Sequence, residues 1–297
     1  MTTTTETPTP TRTRRPRTVL GLAIAFVLLV FVGGTINVTI QMTRSSLQQT
    51  STITPQADRL TVNGADADVT LAPSPDGNVH VVTSVTYGGS RPALREESTA
   101  AGGVVLEPSC TDTDMVACEI GYHITVPAGL AVTVQVRRGS VYAGDLTGPV
   151  TVSQESGAVE LHKLTGRLDL TTADGYIHGD RLRSRDVTAR ATGWGGISLD
   201  MVAPPKTLTT SSGNGSTTIV VPNNVPYRVG GTSGTGNRSV GVVQFPSADN
   251  TITADSGRGD VRVRGQEVRP GFSDDTDPYL PEVPIAPVEP VAPVPPG

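Results

Sequence analysis

Side chains that could bind a ligand recur at one position of a repeating sequence. Tyr142, Glu160 and His178 follow one another at a constant interval, and Tyr176 stands two positions before His178. Aromatic faces suit sugar rings, and a carboxylate and an imidazole beside them supply hydrogen-bond partners. These four residues are our candidate surface-binding ladder, which Trp194 could extend. The alternative interpretation is a row of ordinary solvent-facing residues on a β-sheet.

The charged residues of the same region do not form a recurring catalytic pair. Asp169, Asp180 and Asp186 occur together with Arg181 and Arg183, yet no two carboxylates share a position in the repeat. Acid/base hydrolysis of glycosides needs two carboxylates at a fixed separation. The glycine-rich segments also lack the lysine or helix start that phosphate-binding loops use. We therefore expect no catalysis, no cofactor and no bound metal.

The repeat itself indicates the architecture that positions these residues. Its units begin at Gly139, Gly157 and Gly175, and their aliphatic residues alternate with polar ones. A period of two is typical of strands, and short units in tandem are typical of a solenoid. The chain is therefore predicted to be all-β, a parallel β-solenoid with rungs of about 18 residues, right-handed by the crossover rule. The positions expected to face inward include Val141, Val159, Ile177, Leu146, Leu164 and Leu182.

Composition is consistent with a thin repeat fold and argues against some functions. Aromatic residues make up only 4% of the 297 residues, whereas glycine occurs 33 times. A slender solenoid needs aliphatic side chains and tight glycine corners rather than a large aromatic core. The net charge is −5, and four arginines are concentrated in residues 1–17. The remaining chain is therefore acidic, which argues against nucleic acid as a partner.

An apolar segment near the N-terminus predicts a membrane anchor. Every residue from Val19 to Val32 except Gly21 is apolar, and four arginines precede the segment. The run continues through Gly33, Gly34 and Thr35 to Ile36, and these 18 residues reach the lower end of the length that spans the hydrocarbon core, while flanking arginines stay in the cytosol. We predict a single transmembrane helix over residues 18–40, with a cytoplasmic N-terminus and an extracellular C-terminal domain. The alternative is a cleaved signal peptide, because small glycine residues follow the apolar run.

Cys110 and Cys118 are the only two cysteines, and both lie on the predicted outer side of the membrane. An even number of cysteines outside the cytosol favours a disulfide. A metal site would need more ligands than the nearby His123. We therefore predict a disulfide between Cys110 and Cys118, which would close a short loop.

Five segments follow from these patterns. The N-terminal tail is too polar to fold. The C-terminal tail is acidic and then carries proline at every third residue, which is the period of polyproline II. The segments are residues 1–17 (disordered cytoplasmic tail), 18–40 (transmembrane helix), 41–56 (polar stalk), 57–267 (extracellular β-solenoid) and 268–297 (disordered acidic and proline-rich tail).

The run from Cys118 to Ser153 resembles a known group of proteins. A cysteine precedes an aromatic-containing strand, the turn Val126-Pro127-Ala128-Gly129 follows, and Gly-x-Val-x-Val units are then separated by Leu-Thr-Gly. This arrangement is similar to that of a bacterial family of membrane-anchored β-strand-repeat adhesins, its actinobacterial members in particular. The resemblance covers residues 57–267. It implies an exported β-solenoid with an adhesin-like role, and it supplies no catalytic residues.

The predicted anchor and the repeat together lead to one expected function and two alternatives. The expected function is that of a membrane-anchored extracellular adhesin, or a cell-envelope interaction protein, without catalysis. Its expected partners are the membrane, through residues 18–40, and envelope glycans or another surface protein. One alternative is a structural or sensory partner protein in an envelope assembly. The other is a polysaccharide-active β-helix enzyme.

Overall fold

The computed structural model describes residues 44–53, 59–88, 93–98, 104–109 and 117–266. This part of the chain holds twenty strands and no helix. None of the described residues therefore belongs to a helix that is long and apolar enough to cross a membrane. The predicted transmembrane helix at 18–40 and the predicted tails at 1–17 and 268–297 lie outside the described residues.

The strands are numbered in chain order, and β2, with 15 residues, is the longest. They are β1 (Arg44–Ile53), β2 (Arg59–Pro73), β3 (Val79–Gly88), β4 (Ala93–Ser98), β5 (Val104–Ser109), β6 (Ala117–Val126), β7 (Ala131–Arg138), β8 (Val141–Gly144), β9 (Val150–Ser156), β10 (Val159–His162), β11 (Leu168–Asp174), β12 (Ile177–Leu182), β13 (Asp186–Trp194), β14 (Ile197–Met201), β15 (Thr207–Asn214), β16 (Thr217–Pro222), β17 (Tyr227–Gly230), β18 (Arg238–Gly241), β19 (Asn250–Arg258) and β20 (Val261–Gln266).

The strands form two sheets, and successive strands of the repeat alternate between them. Sheet A has the spatial order β1-β3-β6-β2-β8-β10-β12-β14-β16-β20-β18. Sheet B has the order β4-β5-β2-β7-β9-β11-β13-β15-β19-β17. β2 belongs to both sheets, because residues 59–66 pair with β7 and residues 67–73 with β6. Each rung of the repeat is therefore one strand of sheet B followed by one strand of sheet A.

The strand registers confirm the predicted stacking of the repeat. Val141 pairs in parallel with Val159, and Val159 with Ile177, so that the predicted interval separates successive partners. The interval then becomes longer, because Ile177 pairs with Ile197 and Ile197 with Thr217. The all-β solenoid is thus confirmed, and its right-handedness stays a prediction.

A continuous aliphatic core runs between the two sheets. Val141 and Val159 are fully buried, and so are the corner residues Leu146, Leu164 and Leu182. Each large aliphatic side chain contributes about 1.5–3 kcal/mol when it is buried. β8 and β10 have only four residues each, so this stacking, rather than local propensity, holds them in place.

Glycine residues form the corner between the two sheets. Gly139, Gly157, Gly175 and Gly195 lie above one another, with φ between 132° and 154°. A Cβ atom on Gly157 would lie 1.9 Å from the carbonyl oxygen of Gly139, and one on Gly175 would lie 1.8 Å from that of Gly157. No side chain fits in so small a space, so the close approach of the rungs requires glycine here.

The N-terminal end of the solenoid departs from the predicted parallel pattern. β1 pairs antiparallel with β3, β3 with β6, and β4 with β5. Residues 44–53, which the sequence places in a polar stalk, instead form β1. Every second residue of β1 from Leu47 to Ile53 is half-buried. Of these residues, Leu47 and Ile53 pack against the core. Pairing with β3 along its whole length, together with these two apolar contacts, holds this polar segment as an edge strand.

The order of the last rungs in space differs from their order in the chain. β19 and β20 pair with β15 and β16 on one side and with β17 and β18 on the other. The outermost rung, β17 and β18, therefore comes before β19 and β20 in the chain, although β19 and β20 lie between it and β15 and β16. Strand length explains this order: β15 has eight residues and β19 nine, whereas β17 has four and would leave half of β15 unpaired.

Candidate binding groove on the outer face of sheet A

Side chains on the outer face of sheet A stand in columns that run along the solenoid. In β8 the residues on either side of Tyr142 are fully buried, so Tyr142 points outward, since side chains alternate across a strand. Tyr142 pairs with Glu160, Glu160 with His178, and His178 with Ser198. The structure therefore places three of the predicted ladder residues in one outward column, one strand apart.

Tyr176, the fourth predicted residue, lies in a neighbouring column at the corner that follows each glycine. The corner column consists of Ser140, Ala158, Tyr176, Gly196 and Ser216, and each of their carbonyl groups accepts a main-chain hydrogen bond from the rung before. Tyr176 is the only large residue in it. Because Ala158 and Gly196 are too small to cover the aromatic ring, Tyr176 remains 50% exposed.

A hydrogen bond connects Tyr176 to the ladder. Its hydroxyl group donates to Glu160 Oε1 at 2.9 Å. This bond raises the pKa of the Tyr176 phenol, because only the protonated phenol can donate and because the carboxylate repels a phenolate. The contact holds the hydroxyl end of the ring toward the preceding rung and so restricts the orientation of the exposed ring.

A groove of about 260 Å³ opens beside Tyr176, on the side of the following rungs. It is lined by Tyr176, Ile177, His178, Gly196, Ile197, Ser198, Ser216 and Thr218. Its volume lies below the roughly 300–1,000 Å³ of pockets that enclose drug-sized ligands, which suits one ring-sized group. The groove therefore combines an aromatic wall with an imidazole and three hydroxyl groups, and each hydroxyl can both donate and accept a hydrogen bond.

An ion-pair cluster flanks the ladder on its other side. His162 pairs in register with Asp180, and its Nδ1 lies 3.1 Å from Asp180 Oδ2. Arg181 donates to His162 Nε2 at 3.0 Å and to Asp180 Oδ2 at 3.2 Å. Since Nε2 then accepts, the tautomer consistent with both contacts carries its proton on Nδ1 and donates it to Asp180. The cluster satisfies its own charges and stiffens the sheet beside the groove.

Asp200, also in sheet A, is a poorly satisfied carboxylate. Its Oδ1 atom is buried and has no hydrogen-bond partner. Burial raises the pKa of Asp200, the nearby charge of Asp180 raises it further, and His178 acts in the opposite direction. In its ionised form Asp200 therefore lowers the stability of the fold.

Only two of the four predicted ladder residues line the groove. Tyr176 and His178 line it, whereas Tyr142 and Glu160 do not. Glu160 acts through its hydrogen bond to Tyr176 instead. The predicted extension by Trp194 does not reach the groove either: this residue is 69% exposed but stands before the glycine corner, at the end of β13 in sheet B.

Three residues that complete the groove were not singled out by sequence reasoning. Thr218 pairs with Ser198 and so continues the ladder into β16, and Gly196 and Ser216 continue the corner column. The register that relates them was present in the repeat. It was obscured beyond Ser198, where the interval between rungs has become longer than in the earlier units.

Only one of the two cysteines of the predicted disulfide, Cys118, is among the described residues. Cys118 lies in β6, partly buried against the core, and no free cysteine occurs among the described residues. Cys110 lies outside those residues, so its pairing with Cys118 stays a prediction. Within the described ranges, no group of three or more His, Cys, Asp or Glu side chains is arranged to hold a metal ion.

Comparisons with known proteins give a weak likeness to solved structures, two of which are described below. The sequence matches no family profile and no curated protein. A crystal structure of a "putative cell adhesion protein" from Clostridium sporogenes is 12% identical, with a TM-score of 0.35 over 75% of this chain and 100% of that one. A "putative adhesin" from Bacteroides fragilis is 13% identical, with a TM-score of 0.40 over 74% of this chain and 97% of that one. Because both TM-scores are below 0.5, the function proposed next rests on this chain's own residues.

Proposed function

We propose that this chain is a membrane-anchored, extracellular interaction protein of the adhesin type, and that it binds a carbohydrate of the cell envelope in the groove beside Tyr176. The observation that carries the proposal is the pairing of a half-exposed, hydrogen-bonded tyrosine ring with a row of hydroxyl groups. A ring-shaped polar ligand with apolar faces is complementary to both.

The chemistry of the groove favours an uncharged sugar. Ser198, Ser216 and Thr218 are neutral and can exchange hydrogen bonds with sugar hydroxyl groups. Tyr176 offers an apolar face together with a polar end. Since its hydroxyl is already bonded to Glu160, less ring motion remains to be lost on binding, which supports affinity in a small and open site.

The state of the carboxylates favours binding over hydrolysis. Glu160 accepts the Tyr176 hydrogen bond, and Asp180 is held by His162 and Arg181. The Asp200 carboxylate has one oxygen, Oδ1, that is buried away from solvent. A glycosidase needs one carboxyl group free to protonate the leaving group and a second at a fixed distance from it. We therefore propose recognition without catalysis.

Exposure on the cell surface is the second half of the proposal, and it depends on the predicted anchor at residues 18–40. An alkaline-phosphatase reporter fused after residue 60 tests it in living bacteria. The orientation proposed here predicts reporter activity outside the cytosol. A reporter that is produced but inactive would contradict the anchor's orientation, whatever the groove binds.

Binding itself is tested on a glycan array. The full chain is applied in a detergent that has no sugar headgroup, because such a headgroup would compete for the groove. We expect a restricted set of glycans to be retained by the wild-type chain and released by the substitution Tyr176→Ala. A folded wild-type chain that retains no glycan would contradict the proposed function.

A further inference from the structure

The C-terminal end of the solenoid is an incompletely covered surface. Its outermost rung is formed by β17 and β18, whose strands have four residues each. Val229 and Val240 in this rung are only partly buried, whereas their register partners in the rung beneath are fully buried. Val243 and Phe245 beside it are 55% and 57% exposed. Among the described residues no strand stacks beyond this rung, and residues 243–245 form main-chain hydrogen bonds with Tyr227. An apolar solenoid end of this kind needs a cap.

This end of the molecule is also basic. Residues 223–266 contain five arginines and three aspartates, a net charge of 5 − 3 = +2. All five arginines are exposed. Arg238 lies at the open edge itself, in β18, where its guanidinium group donates to the carbonyl oxygen of Val229. We call the exposed surface formed by Arg228, Arg238, Val240, Val243 and Phe245 the end patch.

The chain leaves the solenoid next to this patch. β20 pairs with β18, Val263 opposite Val240 and Arg264 opposite Gly241, and it ends at Gln266. Residues 267–297 lie outside the described residues. In the sequence they contain six acidic residues and one arginine, a net charge of 1 − 6 = −5. Asp274, Asp275 and Asp277 stand between the apolar residues Phe272, Tyr279 and Leu280.

We propose that residues 272–282 bind the end patch of their own chain and cap the solenoid. The acidic residues of this segment are complementary to the arginines, and its aromatic and aliphatic residues can cover Val243 and Phe245. A second copy of the chain is a poorer occupant, since it would bring one basic end against another. The covalent connection through Gln266 also gives the segment a high effective concentration at the patch. For residues 272–282 alone, this proposal departs from the disorder expected over 268–297.

Hydrogen exchange measured by mass spectrometry on the full chain in detergent tests this contact. The peptide of interest covers residues 238–245, which include β18 and the two exposed apolar residues, and β10–β12 serve as an internal reference. The test variant carries Asp274→Asn, Asp275→Asn and Asp277→Asn together, which removes charge but keeps size. Glu289→Gln, in the proline-rich repeat beyond the proposed contact, is the matched control. A chain that ends at Gln266 is studied with and without a synthetic peptide of residues 267–283.

The proposal predicts that residues 238–245 exchange on the order of tenfold more slowly in the wild type and in Glu289→Gln than in the triple variant. The shortened chain should exchange as fast as the triple variant, and the added peptide should restore protection. Equal exchange in the wild type, the triple variant and the shortened chain would overturn the proposal. Protection that persists in the shortened chain and grows with protein concentration would also overturn it, in favour of a second copy. Neither result depends on whether the groove binds a glycan.

Discussion

Tyr176 and Glu160 lie on adjacent rungs, 16 residues apart in the chain, and the Tyr176 hydroxyl donates a 2.9 Å hydrogen bond to Glu160 Oε1. This bond joins the corner column to the ladder. It explains how a residue at the beginning of a strand becomes the oriented wall of a groove. The function proposed here depends on it, because a freely rotating ring would bind a sugar less well.

The first prediction concerns this bond. Glu160→Gln keeps an oxygen acceptor but removes the negative charge, so the pKa of Tyr176 should fall toward its ordinary value. The titration of each tyrosine can be followed by NMR of ¹³C-labelled rings, with Tyr176→Phe assigning the signal. Tyr142, which pairs with Glu160 across the ladder, serves as an internal comparison. An unchanged Tyr176 pKa in Glu160→Gln would show that the negative charge of Glu160 does not act on the phenol in solution.

The second prediction tests which side chains face the core. Leu168 in β11 is 1% exposed, so Leu168→Asp buries an unpaired charge and should destabilise the fold by about 4 kcal/mol or more. Thr171, in the same strand, lies on the outer face and pairs with Ser153 and Arg190, so Thr171→Asp should change stability by less than about 0.5 kcal/mol. Thermal unfolding followed by circular dichroism distinguishes them. Equal losses would mean that the inward and outward positions are misassigned.

The third prediction concerns the glycine corner. In Gly157→Ala the new methyl group would lie 1.9 Å from a main-chain oxygen, and φ at this position is 132°. The rungs would have to separate, at an expected cost of several kcal/mol, by analogy with other strained and overpacked sites. Gly230→Ala is the control, because a Cβ atom there meets nothing within 4 Å and should change stability by about 1 kcal/mol or less. Retained stability in Gly157→Ala, measured by chemical denaturation, would contradict the observed stacking of the corner.

The fourth prediction follows from Asp200. Burial raises its pKa in the fold, so the folded state binds the proton more tightly than the unfolded state does. Protonation of Asp200 should therefore add stability as the pH falls through its raised pKa, and this contribution should be complete below the ordinary Asp range of about 4. Asp200→Asn removes the cost of the ionised form. Its melting temperature should exceed that of the wild type at neutral pH, and the advantage should shrink in acid.

The matched control for Asp200→Asn is Asp169→Asn. Asp169 makes an exposed ion pair with Arg190 at 3.4 Å, and such pairs contribute about 0–1 kcal/mol. This control should show only a small change in melting temperature at neutral pH. If both variants behave alike between acid and neutral pH, the buried state assigned to Asp200 is incorrect.

The repeat made one part of the structure predictable from sequence. Where units share a constant interval, the strand pairs, the buried residues and the outward column through Tyr142, Glu160 and His178 all follow from the alternation of side chains. The groove was only partly predictable. Its far wall, formed by Ser216 and Thr218, lies where the interval has changed, so that the register could no longer be counted along the chain.

The repeat pattern did not predict the strand pairing at the two ends of the solenoid. The polar composition of β1 predicts a stalk, yet pairing with β3 and the contacts of Leu47 and Ile53 decide its place. β19 pairs with β15 on one side and with β17 on the other, so the chain order of these strands differs from their order in the sheet. The repeat pattern does not indicate this exchange of order.

The measurement that most directly tests the central claim compares glycan binding by Tyr176→Ala and Phe245→Ala in the full chain. Both substitutions remove an aromatic side chain of similar exposure, 50% and 57%, but only Tyr176 lines the groove. The proposal predicts that Tyr176→Ala lowers affinity for the best array glycan by at least about tenfold, or about 1.4 kcal/mol, and that Phe245→Ala leaves it unchanged. Equal affinities for the wild type and Tyr176→Ala, with both chains folded, would contradict it.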